Sequence, residues 1–554
     1  MTARAQSDSK LTWELERPED GKRWWVRESL YTIQPRTPLS DSFYTREWDE
    51  AVLCIGEELS FPNSRGFNAR TVNGYTYLSP MPITDPDLIQ KRLPKFLNRI
   101  AELQANADQD FARYHAEQER EMEYWKAADL GNPNLMILLE YWRRVLLTSD
   151  RFWKLHFLIV FPRHVVAGMF EHAAHDAGVQ ASADIGKLTQ SHGMTRQMQL
   201  DMELWRLAGR AIELGLKDTF LNTFEEDLQK TLESSGQGPV WLDELNRFLD
   251  VYGARTVIPM ELHDRSWQED PTPVLGTIRS YVAQGGRYNF DRLIRDMAEE
   301  RQRLSQALLD RINDPEAREK FRNLLESARK FQQAMEDDNY YFLRGAIVQV
   351  RWVAVEIGKR LAAGGALDDP DDVFFLRKEE MERALVDLAS GLYDMSPYRK
   401  LAPDRRAQWN EWCRVQPPPY LGDLPEELDD FMLTQFWGIR GRKQLDESEG
   451  AVAGLGASGG VAEGVARLVF GPEEFGKIQP GEVLVCRSSN PAWTPLFSKI
   501  RAIVTDQGGT LSHAAVVARE YGIPAVLGTQ HATRRIPDGA RVRVDGNTGK
   551  VELL

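Results

Sequence analysis

Cysteine and long apolar runs are both scarce in this chain of 554 residues. The chain holds three cysteines, an odd number spread far apart: Cys54, Cys413 and Cys486. They form neither a disulfide framework nor a zinc-ligand spacing, which favours a reducing compartment. The longest apolar stretch, HFLIVFPRHVVAGMF at 156–170, is interrupted by proline, arginine and histidine, and the N-terminus lacks the apolar core of a signal peptide. We therefore expect a cytoplasmic protein without membrane spans.

Positive charge is also in deficit, because 69 basic residues face 83 acidic residues and the net charge is −14. Nucleic acid and anionic membranes repel such a chain, so we expect neither as a partner. No P-loop occurs, and the one G-x-G-x-x-G match, at Gly454, Gly456 and Gly459, precedes the strand-like VARLVF. This order excludes a dinucleotide fingerprint, which needs a following helix. His172 and His175 suit one helix face but lack a third ligand, so no metal site is predicted.

The chain divides into two regions of different pattern. Apolar residues repeat every 3.6 positions over much of 86–440, which predicts a large, mostly helical domain over residues 1–445. Within it, FNARTVNGYTYLSP at 67–80 alternates around Asn73-Gly74, which indicates a β-hairpin with a type I′ turn. GAVAGLGASGG at 450–460 is typical of a flexible or tightly turned linker, so we expect a hinge or linker over 446–462. Short β-like runs and one helix fill 463–554, which predicts a small second domain and an α+β multidomain fold.

The segment GGTLSHAAVVAREYGIP, residues 508–524, carries the strongest functional signal. Two glycines lead through a polar turn to His513, which begins a helix-like run. Helix N-termini offer unpaired N–H groups to anions, glycine lets a phosphate approach the backbone, and histidine can carry a covalent group. The candidate phosphate-binding residues are Thr505, Gly508, Gly509, Thr510 and Ser512. This set suits a transient phosphohistidine; the alternative is a Ser512 helix cap beside a structural histidine.

The longer segment TDQGGTLSHAAVVAREYGIPAVLGT at 505–529 resembles the active-site motif of the PEP-utilising enzyme mobile domain. This is the swivelling phosphohistidine domain of pyruvate phosphate dikinase, PEP synthase and rifampin phosphotransferase. The similarity extends over 480–497 and 536–554. The resemblance implies a small swivelling β/α domain in which His513 is phosphorylated in turn by ATP. Family members often have Ser-Pro-Gly where this chain has Ser458-Gly459-Gly460, a difference that concerns the stiffness of the hinge.

Three further segments are similar to the substrate domain of rifampin phosphotransferase and to the large subunit of phenylphosphate synthase: 34–48, 248–275 and 364–381. Enzymes of this kind also use an ATP-grasp domain, of which we find no segment. The resemblance therefore implies a split, dikinase-type phosphotransferase with paired acceptors. A partner ATP-grasp subunit would hold ATP and Mg2+ and phosphorylate His513, while this chain would bind no cofactor stably.

The implied acceptor is a small aromatic alcohol. Such enzymes convert ATP, water and a phenol, here phenol or an alkylphenol such as cresol, to an aryl phosphate, AMP and phosphate. A split rifamycin-type antibiotic phosphotransferase is one alternative. A phosphocarrier acting on a protein partner is another.

The segment YGARTVIPMELHDRSW at 252–267 is the candidate acceptor site. It gathers ionisable side chains in an apolar stretch without helical periodicity, as binding loops often do. Arg255 is suited to hold the travelling phosphoryl group, because the guanidinium fork matches its oxygens. Glu261 or His263 is suited to take the proton of the acceptor hydroxyl. A surface cluster of salt bridges that includes Asp264 and Arg265 is the alternative.

Overall fold

The computed structural model describes residues 11–179, 182–189, 193–258, 260–283, 285, 290–391, 394–428, 441, 451–489, 493–497, 499–510 and 512–554. Its α-helices in these ranges are α1 (Pro38–Glu58), α2 (Pro86–Ala105), α3 (Ala107–Ala127), α4 (Leu135–Asp176), α5 (Ser182–Thr189), α6 (Arg196–Glu213), α7 (Lys217–Asn222), α8 (Glu225–Glu233), α9 (Gly238–Tyr252), α10 (Thr272–Ala283), α11 (Phe290–Leu309), α12 (Pro315–Phe342), α13 (Gln349–Ala363), α14 (Lys378–Ala389), α15 (Ser396–Arg399), α16 (Leu401–Cys413), α17 (Thr494–Phe497), α18 (His513–Glu520) and α19 (Ala532–Arg535).

A four-stranded antiparallel sheet covers the N-terminal side of the helical part. Its strands are β1 (Trp25–Arg27), β2 (Ser64–Val72), β3 (Tyr75–Pro82) and β4 (Tyr420–Leu421), in the order β2-β3-β1-β4. The predicted hairpin is confirmed, since β2 and β3 pair around Asn73 at φ 49° and Gly74 at φ 75°. Positive φ at both positions is what a type I′ turn requires.

Helix α4 forms the centre of the largest core and runs for 42 residues. The Asn134 side chain caps its start by accepting the Met136 N–H at 3.0 Å. The helix packs against α1, α12 and α13, so its middle third is buried nearly all round. This packing accounts for the apolar run at 156–170. Among the residues that the structure describes, no helix combines the length and the apolarity that crossing a bilayer demands.

A second, smaller core lies among α6 to α10. Trp241 is fully buried there, and its indole N–H donates to the Leu207 carbonyl at 2.9 Å. The loop from α9 to α10 carries the candidate acceptor segment. An isolated bridge between Thr256 and Ser266 closes this loop on itself. The segment is therefore a fixed loop and not a freely moving one.

The C-terminal part is built around an eight-stranded sheet. Its strands are β5 (Ala451–Ala453), β6 (Leu455–Ser458), β7 (Val461–Val469), β8 (Val483–Cys486), β9 (Ala502–Thr505), β10 (Ala525–Leu527), β11 (Arg541–Asp545) and β12 (Lys550–Leu553). The order is β5-β12-β11-β7-β8-β9-β10-β6, with β7 to β10 parallel and the flanking pairs antiparallel. Helix α18 packs on β10 and β6. Together with the helical part, this sheet confirms the α+β multidomain fold.

The expected flexible hinge over 446–462 is wrong for much of its length. Residues 451–453 and 455–458 are strands β5 and β6 of the C-terminal sheet, and 446–450 lie outside the described residues. Only Gly454 lies between β5 and β6. Because these strands stand at opposite ends of the strand order, the two ends of the sheet meet at Gly454. A Cβ on Gly454 would lie 2.6 Å from the Leu527 carbonyl oxygen. The small residues of this segment thus serve close backbone packing, a second use of glycine-rich sequence.

Candidate active site

His513 begins α18 directly after the turn that follows β9. All four residues of β9 are buried between parallel neighbours, which fixes the carboxyl end of the strand. Gly508 has a φ of +110°, and a Cβ there would lie 3.0 Å from Ser512 Oγ, so the turn requires glycine. The Thr505 hydroxyl donates to the Gln507 carbonyl at 2.6 Å. His513 is therefore held at a defined position at the end of the sheet.

Ser512 occupies the N-cap position of α18, but its side chain makes no capping hydrogen bond. Its hydroxyl donates to the Gly509 carbonyl at 2.8 Å, and the Thr510 carbonyl accepts from the Arg519 guanidinium. Ser512 thus leaves the first-turn N–H groups of α18 to other acceptors, an arrangement suited to an anion. The hydroxyls of Thr505 and Ser512 are engaged within the turn, and their binding of phosphate stays a prediction.

The His513 imidazole is partly buried where the C-terminal part meets the helical part. Burial, and after it the positive charge of Arg255, lower the pKa of His513 from 6.5 to about 3. The ring is therefore neutral at neutral pH and keeps a nitrogen lone pair for nucleophilic attack. The two candidate residues, which lie on opposite sides of the domain boundary, are therefore near enough for the charge of Arg255 to act on the imidazole.

Arg255 is a buried cation, 4% exposed, on the loop between α9 and α10. Its Nη1 donates to Gln197 Oε1 at 2.9 Å, and its guanidinium carbon lies 5.8 Å from the centre of the Trp267 ring. The Arg255 carbonyl accepts the Trp267 N–H at 2.8 Å, which fixes the backbone. Its Nε has no hydrogen-bond partner among the described residues. A buried guanidinium that keeps an unpaired N–H donor near a histidine is suited to bind the oxygens of a phosphoryl group.

Glu336 of α12 belongs to the same cluster and was missed by sequence reasoning. Burial raises its pKa to about 7, and the nearby charges of Arg163, Arg255 and Arg519 act in the opposite direction. Its Oε1 accepts from Gln332 Nε2 at 2.9 Å. A carboxyl that titrates near neutrality is suited to general base catalysis. In the sequence it stands in the acidic run EDD of a highly charged helix. No local pattern there distinguishes a buried carboxyl from an exposed one.

The contacts of Glu261 indicate a structural role and not the predicted role as the base that takes the acceptor's proton. Its buried carboxylate accepts hydrogen bonds from the Thr37 N–H at 2.9 Å, the Thr37 hydroxyl at 2.7 Å, the Ser40 hydroxyl at 2.7 Å and the His263 N–H at 2.8 Å. Thr37 is the N-cap residue of α1, so Glu261 fixes the start of that helix from a distant part of the chain. Because its acceptor capacity is used, we do not assign Glu261 as the base.

The surroundings of His263 also indicate a structural role. It packs edge-on among three aromatic rings, with centroid distances of 5.5 to 5.9 Å, and burial lowers its pKa. The rings belong to Phe374, Phe375 and Trp409. The residues of the candidate segment therefore belong to two different environments. The charge of Arg255 acts on His513, whereas Glu261 and His263 pack against α1 and the 3-10 helix Pro370–Phe375.

Direct contacts hold the C-terminal part against the helical part. The Gln507 side chain donates to the Arg27 carbonyl at 3.2 Å and accepts from the Ser29 hydroxyl at 2.5 Å. Arg519 lies over Gly186 of α5, where a Cβ would come 2.4 Å from Arg519 Nη1. We call this arrangement the docked state. Within the described ranges, no three His, Cys, Asp or Glu side chains are grouped as a metal ion requires.

Two family models match the chain. The model described as PEP-utilising enzyme, mobile domain, matches residues 478–549, which include the turn and α18. The model described as rifampicin phosphotransferase fourth domain matches residues 160–336, which include Arg255 and Glu336. The resemblance to these two families is thereby confirmed.

Curated relatives extend the similarity beyond these models. The uncharacterized phosphotransferase YvkC of Bacillus subtilis is 34% identical over 403 residues, 72% of this chain and 47% of that protein. Chondramide synthase cmdD of Chondromyces crocatus is 30% identical over 98% of this chain and 14% of its own length. A rifampicin phosphotransferase of Streptomyces sviceus is 29% identical over 60% of this chain and 36% of its own length. The chain spans less than half the length of each relative. Residues 478–549 are thus similar to the mobile domain of the PEP-utilising enzymes, and residues 160–336 to the fourth domain of rifampicin phosphotransferase.

Proposed function

We propose that this chain is a phosphotransferase that carries a phosphoryl group on His513 and passes it to a hydroxyl held by the helical part. One observation carries the proposal. The imidazole of His513, in the mobile domain, is near enough to the buried guanidinium of Arg255, in the region matched by the rifampicin phosphotransferase model, for that charge to lower its pKa. The names of the relatives, two of which are phosphotransferases, support the same activity.

The proposed transfer uses three side chains. The acceptor oxygen forms a bond to phosphorus while the P–N bond to His513 breaks, and the electron pair of that bond returns to the imidazole nitrogen. Arg255 offsets the charge of the phosphoryl oxygens. Glu336, with a pKa of about 7, takes the proton of the acceptor hydroxyl. Positioning and charge neutralisation are the main needs of phosphoryl transfer, and the docked state supplies both.

We propose an aromatic alcohol as the acceptor, with phenol or an alkylphenol such as cresol as the first choice. Aromatic rings flank the buried arginine: Trp267 lies 5.8 Å from the Arg255 guanidinium, and the Tyr252 and Tyr340 rings, 6.2 Å apart, both act on its charge. Flat aromatic walls beside a buried cation suit a small arene that carries a hydroxyl.

A rifamycin is the second candidate acceptor. The family model of the rifampicin phosphotransferase fourth domain includes both Arg255 and Glu336, which favours it. A phosphocarrier that serves a protein partner is disfavoured, because Arg255 and Glu336 are buried inside this chain, where a protein side chain has no access.

The source of the phosphoryl group is a separate proposal. An ATP-grasp subunit that holds ATP and Mg2+ would phosphorylate His513 and yield AMP and phosphate as the other products. The imidazole is partly buried where the two parts meet in the docked state, so loading at a second site requires the mobile domain to swing away.

Phosphate exchange without ATP tests the transfer directly. The purified chain is mixed with labelled phenol and unlabelled phenylphosphate, and the labelled phenylphosphate formed is measured; cresol and rifamycin pairs follow. We expect exchange with a phenolic pair and none with His513→Ala, whose unfolding midpoint should stay near that of the parent. His531→Ala, a second histidine of the mobile domain at the start of α19, is the matched control and should exchange normally.

Each outcome decides a separate part of the proposal. Equal exchange by His513→Ala would rule out the phosphohistidine. Exchange with the rifamycin pair alone would assign the second candidate acceptor. The absence of exchange with all three pairs would rule out an aromatic acceptor.

A further inference from the structure

A small cavity lies between the N-terminal sheet and the mobile domain. Its volume is about 40 Å³, room for roughly three water molecules or one inorganic oxyanion. One wall includes Arg27 and Ser29 of the helical part, and the other includes Arg487, Gln507, Gln530 and Arg534 of the mobile domain. We call it the interdomain cavity. Since its two walls belong to different domains, it exists only in the docked state.

Positive charge dominates the lining of the interdomain cavity. Three arginines, Arg27, Arg487 and Arg534, and one acidic residue, Asp506, are among the lining residues. Both oxygens of the Asp506 carboxyl already accept hydrogen bonds from Thr533, one from its N–H at 2.9 Å and one from its hydroxyl. Burial, and after it the charge of Arg487, lower the pKa of Arg27 to about 10. Cations that repel each other across a closed cavity are stabilised by an anion between them.

Two buried donors at the cavity have no hydrogen-bond partner among the described residues: Arg27 Nε and Gln530 Nε2. Arg27 is 5% exposed, so water does not replace the missing partner freely. The Gln530 Oε1 accepts the Tyr420 hydroxyl at 2.5 Å, which turns the amide so that its NH2 group remains for a ligand. Gln530 also adopts a φ of +65°, a left-handed conformation that is costly for a residue other than glycine. Unsatisfied donors and local strain at one cavity are typical of a binding site.

We propose that the interdomain cavity binds a small inorganic oxyanion, with phosphate as the expected ligand, and that the bound oxyanion holds the mobile domain in the docked state. A tetrahedral oxyanion can accept hydrogen bonds from both walls at once. The volume of about 40 Å³ suits a free oxyanion and is too small to enclose a nucleoside as well. A ligand that binds only the docked state shifts the equilibrium towards it. This site is separate from His513 and does not depend on the identity of the acceptor.

Calorimetric titration of the full chain with sodium phosphate tests the site. We expect one saturable site whose affinity falls roughly tenfold or more in Arg487→Gln and in Arg534→Gln, because each loses a charged donor. Arg534 is exposed at the rim, so its replacement leaves the fold intact. Arg541→Gln, which removes an exposed charge on β11 of the same domain, is the matched control and should bind normally. His513→Ala should also bind normally, which separates this site from the transfer site.

Hydrogen–deuterium exchange supplies the local readout. Phosphate should slow exchange in segments 416–421 and 506–510, one from each side of the domain boundary, in the parent and not in Arg487→Gln. No saturable binding would overturn the proposal, as would loss of binding in His513→Ala with normal binding in Arg487→Gln. Sulfate should compete with phosphate; AMP binding more tightly than phosphate would overturn the assignment to a free oxyanion.

Discussion

At the scale of single residues, Arg255 acts on His513 in both halves of the proposed cycle. While the ring is unmodified, the charge of Arg255 adds to burial in keeping the imidazole unprotonated. Once a phosphoryl group is attached, the same charge would offset its oxygens. One side chain can serve both states because it is buried and because Gln197 fixes its orientation.

Replacement of Arg255 by glutamine should lower the rate of phenol–phenylphosphate exchange by roughly 10²- to 10³-fold, since one charge-stabilising donor is lost from an enclosed site. Arg265→Gln is the matched control, because Arg265 lies on the same loop but is 62% exposed and pairs with Asp371 at 3.8 Å. It should exchange at the parent rate. Equal rates for the two variants, at equal unfolding midpoints, would refute the role of Arg255.

Replacement of Glu336 by glutamine should lower the exchange rate by roughly 10²- to 10⁴-fold and change the pH profile. A carboxyl with a pKa of about 7 acts as a base only when ionised, so the parent rate should rise with pH through 7. The glutamine variant should lose this rise. Glu319→Gln is the control, because Glu319 lies on the same helix but is 57% exposed and pairs with Arg322. A rise that persists in the Glu336 variant would assign the base elsewhere.

The sequence singled out His513 and Arg255 because each lies in a short stretch with a chemical pattern of its own, and their catalytic roles stay predictions. Glu336 could not be found that way. Its burial depends on α12 packing against α4, and its neighbours Arg163 and Arg519 lie on α4 and α18, far away in the chain. Glu261 is the opposite case. Its sequence neighbourhood resembles a site, but its carboxylate accepts hydrogen bonds from Thr37 and Ser40 at the start of α1.

At the scale of secondary-structure elements, Glu261 is the link between a loop and the first turn of α1. Replacement by glutamine puts an amide NH2 among donors, so we expect the free energy of unfolding to fall by about 1–3 kcal/mol. Exchange activity per folded molecule should stay near the parent value. Glu50→Gln, on the same helix in an exposed pair with Arg46, should leave stability nearly unchanged. A fall in exchange activity without a fall in the free energy of unfolding would restore Glu261 as a candidate base.

Elements with local signals were predictable and those set by distant contacts were not. The Asn73-Gly74 turn determines its hairpin by itself, because both residues tolerate positive φ. The segment around Gly454 has a composition that fits a linker and a close-packed strand equally well. Pairing of β5 with β12 and of β6 with β10 decides between the two, and those partners lie about 70 to 100 residues further along the chain.

At the scale of the whole molecule, the docked state depends on the protonation of His513. Its pKa is about 3 when docked and near 6.5 when free in water, so the undocked or unfolded chain binds the extra proton between these values. The stability that His513 contributes is therefore complete above about pH 6.5 and is lost as the pH falls towards 3. Glu336 has the opposite sign, since its raised pKa makes the folded chain bind a proton below 7.

A matched pair isolates the contribution of the histidine. We expect the difference in urea midpoint between the parent and His513→Asn to shift steadily against the parent from pH 7 to pH 4, because asparagine cannot take the proton. The measurement is a set of urea titrations at each pH, followed by tryptophan fluorescence. A difference that does not change with pH would mean that His513 is not shielded from water in solution.

The meeting of β5 and β6 at Gly454 has a consequence for solubility. The two strands that end the sheet order are three and four residues long and are joined through one glycine. Short edge strands offer few unpaired backbone groups to a foreign strand. If the C-terminal part leaves the helical part in the proposed cycle, long edge strands would present a template for aggregation each time it moved. The short edge strands would then limit such self-association.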